Sequence, residues 1–92
     1  MATYIVRVEL HGANELEYAA LHAAMAKQGF SRILVSNGTK YQLPTAEYIV
    51  VSGLNTEAIR NAAKSAANST RKTSWILVVQ SAGMAWELPV VR

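Results

Sequence analysis

Hydrophobic and polar positions change their period along this chain, and each change marks an element. Thr3 to Leu10 alternates: Tyr4, Val6, Val8 and Leu10 form one apolar face, while Thr3, Ile5, Arg7, Glu9 and His11 fall on the other. Period two in a run rich in β-branched and aromatic residues predicts a half-buried strand, ended by Gly12. From Asn14 the period lengthens. Leu16, Ala20, Leu21, Ala23, Ala24 and Met25 give a broad apolar stripe at helical spacing, predicting a helix to about Gln28. Asn14 can cap it, with Glu17 in capping-box position; Gly29 stops it and Phe30 can fold back on its last turn.

Ser31 to Ser36 reads as a second strand. Asn37-Gly38 follows, the pair that a type I′ hairpin turn demands, and Thr39 to Leu43 returns antiparallel. Pro44 cannot donate to a ladder and marks a break before Ala46 to Ser52 resumes as strand. Asn55 or Thr56 caps a second helix to about Asn68, with Ile59, Ala62, Ala63 and Ala66 as its buried stripe. Ser69 to Thr73 is a basic turn. Ser74 to Gln80 shows no clear alternation in polarity, which predicts a strand covered on both faces. Met84 to about Pro89 is expected to return as a short extra strand.

The order is therefore βαββαβ with a terminal β. It predicts an α+β fold of ferredoxin-like type: one antiparallel sheet, two helices on one face, and one domain over residues 1–92. The strands beginning at Thr3 and Ala46 should be central. The other sheet face should be open unless a partner covers it.

Composition narrows the chemistry. All six acids are glutamates, and neither aspartate nor cysteine occurs in the 92 residues. A thiol nucleophile, a thiolate zinc site and an aspartate cluster for magnesium are all excluded, so no metal and no cofactor is expected. A net charge of +3 makes a polyanionic partner such as RNA plausible. No apolar run is long enough to span a membrane, and no signal peptide is apparent, so the default expectation is a cytoplasmic protein.

The open face would carry Arg7, Glu9 and His11, with Glu47 on the neighbouring strand. A carboxylate, an imidazole and a guanidinium suffice for metal-independent RNA cleavage, as base, acid and charge stabiliser. The plainer reading is that Arg7, Glu9 and Glu47 form exposed cross-strand ion pairs worth little. Arg32, Lys40 and Tyr41 surround the hairpin, and Arg71-Lys72 follow the second helix. These five are the candidate RNA-binding residues, against the plainer reading of solvated surface. His22 has no second histidine at i+3 or i+4 and reads as a surface or boundary residue. An RNA-recognition motif is rejected, because Tyr48, which alone could stack, has the opposite parity to Glu47.

The opening Thr3 to His11, the helix end Met25 to Phe30 with Ser31 and Arg32, and above all Tyr41-Gln42-Leu43-Pro44-Thr45-Ala46-Glu47-Tyr48 resemble the GhoS family of endoribonuclease antitoxins from type V toxin–antitoxin systems. The resemblance implies a ferredoxin-like fold related to the CRISPR spacer-acquisition nucleases, and cleavage of the messenger for a small membrane toxin. Those nucleases place a metal-binding aspartate at the end of the first strand. This chain has Glu9 and His11 there instead. Two expectations follow: an RNA-binding, RNA-cleaving domain, or a non-enzymatic module. The second would homodimerise, or bind another protein, through an open face carrying Ile5, Ile49 and Val51, with Ile76 and Val78.

Overall fold

The computed structural model describes residues 1–91. Its elements are β1 (Ala2–Leu10), α1 (Glu15–Lys27), β2 (Ile33–Ser36), β3 (Thr39–Gln42), β4 (Glu47–Ser52), α2 (Thr56–Asn68) and β5 (Ser74–Gln80). β4, β1 and β5 form an antiparallel sheet in that order, and β2 and β3 form a separate hairpin. Ser31 links the two: its N–H donates to the Ile49 carbonyl at 2.9 Å, and Ile49 N–H donates back at 2.8 Å. β1 and β4 are thus the strands with neighbours on both sides, as the element order predicts, and the fold is a small ferredoxin-like α+β sheet.

The alternation of β1 decides where the core lies. Tyr4, Val6, Val8 and Leu10 are buried and meet Leu21 and Met25 of α1 and Ile59, Ala63, Ala66 and Ala67 of α2. The alanines leave room for α2 to lie close to the sheet. Both helix starts are capped as expected; Asn14 and Glu17 make the full capping box, and Asn55 accepts from Ala58 N–H. Asn37 and Gly38 both take positive φ, 49° and 79°, as the hairpin turn requires. On α1 the buried stripe is narrower than predicted. Leu16 is 79% exposed and Ala20 and Ala23 are exposed too; Ala24 packs against the core as expected, joined by Tyr18.

β1 outruns β4. Its last bond to that side is Val8 N–H to the Ala46 carbonyl, and the register would next bring Pro44 opposite Leu10. Pro44 has no N–H to offer. The Tyr18 hydroxyl takes the strand's place, accepting from Leu10 N–H at 2.9 Å and lying 3.3 Å from the Leu10 carbonyl, to which it can donate.

Two expectations about the C-terminal half are corrected. Ser74–Gln80 does alternate in the fold: Ile76 and Val78 pack against the core, whereas Trp75, Leu77 and Val79 are 63%, 62% and 50% exposed. Ile76 and Val78 therefore belong to the helix-covered face, and the strand is covered on one face only. Met84 to Pro89 is not a strand. The chain crosses toward the hairpin and pairs later, through a bridge between Tyr41 and Val90, with Gln42 N–H bonded to Pro89 and Val91 N–H to Lys40. Pro89 cannot itself donate, which is consistent with pairing that begins at the chain's end.

Candidate functional site

Strand register assembles the open face. Arg7 stands opposite Glu47 on β4 and opposite Leu77 on β5. Glu9 stands opposite Trp75. Directly opposite residues of an antiparallel pair share a face, so these side chains line one surface. Arg7, Glu9, Trp75, Ile76 and Leu77 line a shallow hollow of about 140 Å³. His11, just past the strand end, meets Trp75 edge to face with ring centroids 4.2 Å apart. Arg7, Glu9 and His11 thus lie along one strip beside an exposed indole. The ion pairs of the plainer reading do not form: among the described residues the one ion pair is Lys72–Glu17, at 3.2 Å.

Glu47, the cross-strand neighbour of Arg7, also borders the C-terminal segment. Ile5, Leu43, Pro44, Glu47 and residues 83–88 line a second hollow of about 430 Å³. Strand parity alone puts Glu47 beside Arg7; the neighbouring C-terminal segment has no local signal in the sequence.

The proposed RNA-binding residues fall in two groups. Arg71 and Lys72 follow α2, next to Thr73, whose carbonyl accepts from His11 N–H; they stand at the His11 end of the sheet. Lys72 is held by Glu17, whose carboxyl sits below its usual range through the Asn14 backbone bond first and Lys72 second among the favourable contacts. Arg71 is exposed, with a left-handed φ of 63°. Lys40 and Tyr41 lie on the separate hairpin. Lys40 is exposed, and Tyr41 packs near Trp86, centroids 5.6 Å apart. Arg32 is tied to the hairpin by its carbonyl, which accepts from Leu43 N–H at 2.9 Å and from Gln42 Nε2 at 3.2 Å.

Arg32 belongs to a cluster that sequence reasoning missed. His22 Nδ1 lies 2.5 Å from the Tyr48 hydroxyl. Tyr48 is fully buried, and burial above all pushes its hydroxyl up to about 12. It therefore keeps its proton at neutral pH, and which of the two groups donates follows from the imidazole tautomer. Burial, and then the Arg32 charge, hold the His22 imidazole below its usual value. Arg32 Nε is buried without a hydrogen-bond partner, which costs about 1–3 kcal/mol. His22 and Tyr48 are 26 residues apart, so no local spacing announces them. The buried Tyr48 agrees with rejection of an RNA-recognition motif.

Among the described residues no three histidine or glutamate side chains converge as metal ligands, and no helix is long and apolar enough to cross a membrane. Fold and surface define a split-βαβ domain whose helix-free sheet face carries Arg7, Glu9 and the exposed Trp75. The sequence pattern of the family described as Endoribonuclease GhoS matches residues 1–85, and the chain belongs to that family. No individual curated protein matches it.

Proposed function

We propose that this chain binds RNA and cleaves it on the open sheet face, without a metal, as an antitoxin acting on a toxin messenger. The observation that carries the reading is the strip of Arg7, Glu9 and His11 beside the exposed Trp75. Family membership supplies the reaction class. An unpaired base would stack on the Trp75 indole, an arrangement worth about 1–3 kcal/mol per base. Glu9, or Glu47 across from Arg7, takes the proton of the 2′-hydroxyl. The 2′-oxygen attacks phosphorus, the bond to the 5′-oxygen breaks, and protonated His11 delivers a proton to that oxygen. Arg7 stabilises the charge that builds on the phosphoryl oxygens. The product is a 2′,3′-cyclic phosphate. Arg71 and Lys72 hold the strand at the His11 end, and Arg32, Lys40 and Tyr41 would engage it beyond the hairpin.

A second reading is favoured by the His22–Tyr48–Arg32 cluster, where hydrogen-bonded and charged groups already meet. There the His22 imidazole and the Arg32 guanidinium would hold a phosphate. One experiment separates the two: cleavage of a defined single-stranded RNA by the His11→Ala and His22→Ala proteins. Loss with His11→Ala alone supports the open face. Loss with His22→Ala alone moves the reacting site to the cluster. RNA binding with no cleavage by the unaltered chain would leave the non-enzymatic reading.

A further inference from the structure

β5 is an edge strand: it pairs with β1 and, among the described residues, with nothing on its other side. Exposed edges are ordinarily blunted by lysine, proline or a bulge, because unpaired backbone groups invite another strand. Ser74–Gln80 has none of these. It carries no charge and no proline, and its register with β1 runs without a skip from Gln80 to Ser74.

The ladder shows which groups are unpaired. His11 N–H donates to the Thr73 carbonyl at 2.9 Å, and Ser81 N–H to the Thr3 carbonyl at 2.8 Å. Bonding to β1 therefore uses the odd-numbered residues of β5. Ser74, Ile76, Val78 and Gln80 aim their N–H and C=O groups outward.

We infer that β5 pairs antiparallel with β5 of a second copy, about a two-fold axis at Leu77, to give one six-stranded sheet. Only a strand of the same length with the same parity satisfies all four outward residues at once. About Leu77, Ile76 pairs with the partner's Val78 and Ser74 with the partner's Gln80, each a pair that exchanges two bonds. A centre moved one residue either way leaves one outward residue without a strand partner. Side chains agree on both faces. On the open face, Leu77 meets the partner's Leu77 and Trp75 meets the partner's Val79 side by side along the seam, while the outer face of the Trp75 indole stays open. On the helix face, Glu57 and Arg60 flank the edge beside Ile76, Leu77 and Val78, and Arg60 and Lys64 flank it beside Ser74 and Ile76. The two-fold sets Glu57 toward the partner's Arg60, and the reverse. Opposite charges match where a parallel or face-to-face arrangement would not require it. The inference stands independently of the RNA reading.

The absence of native cysteine makes a clean test. In a Leu77→Cys protein the two thiols would sit on a non-hydrogen-bonded pair, with Cα atoms about 4.5 Å apart, inside the range a disulfide accepts. Mild oxidation of the full chain should yield covalent dimer. Val51→Cys is similarly exposed (60%) but lies on β4, away from the seam, and should form no covalent dimer on oxidation. Sedimentation equilibrium should show a dimer for the unaltered chain and a monomer for Leu77→Lys, whose exposed position leaves the fold intact by circular dichroism. Glu57→Arg and Arg60→Glu should each weaken the dimer, and the double swap should restore it. A monomeric unaltered chain at all concentrations, or cross-linking through Val51→Cys and not Leu77→Cys, overturns the inference; the latter result would indicate packing through the open face.

Discussion

The two histidines sit in opposite situations, and each carries its own test. His11 stands exposed against Trp75; His22 is half-buried against Tyr48 and Arg32. If His11 and Glu9 are acid and base, His11→Ala and Glu9→Gln should each slow cleavage by about a hundredfold in single-turnover assays while RNA affinity changes little. Arg7→Ala should reduce both rate and affinity. For His22 the readout is stability. Its folded pKa lies below the usual value of 6.5, so the unfolded chain binds the proton more readily. That contribution is fully present above pH 6.5 and is lost as pH falls from there toward the folded value. Urea unfolding at about pH 8 and about pH 5 should show a decline that is smaller in His22→Gln. An equal decline in both proteins would mean the titration lies elsewhere.

At the scale of elements, the strands and helices are legible because each buries one face. Alternation in β1 names Val6 and Val8 as core, and both are fully buried. Val6→Asp should therefore destabilise by about 3–5 kcal/mol, since its carboxylate would have no partner, measurable by chemical denaturation. β5 misled for a physical reason. Its exposed positions hold Trp75, Leu77 and Val79, so polarity no longer reports which side faces water. The terminal segment misled in another way: residues 81–89 take their place by lying across the sheet toward β3, a long-range event without local period. The His22–Tyr48 contact was hidden likewise, because only the packing of α1 on β4 brings the pair together. The Arg7–Glu9–His11 strip was readable, since it needs only strand parity; Trp75 beside it needed the register of β5.

For the molecule as a whole, the reading is a basic surface meeting a polyanion. RNA affinity should fall with salt, and each phosphate contact removed should flatten the log–log slope by about 0.7. Arg71→Ala should account for more of that change than Lys72→Ala, because Lys72 is already engaged by Glu17. Cleavage should survive EDTA, and 2′-deoxy substitution at the cut site should abolish cutting while sparing binding. A 5′-phosphate product that requires magnesium would refute the mechanism and leave the fold untouched.

The Tyr18 hydroxyl standing in for a missing strand has a consequence for motion. Leu10 is one residue from His11, and its backbone is secured on that side by a helix side chain rather than by a ladder. Such an end opens locally whenever the helix shifts, without unfolding of the rest. Amide hydrogen exchange at Leu10 should therefore track exchange in the first turns of α1 more closely than exchange in the middle of β1. In Tyr18→Phe the Leu10 amide should lose protection while Val6 keeps it. The strand end beside Glu9 and His11 is then tuned by α1, so a ligand that stiffens one should quiet the other.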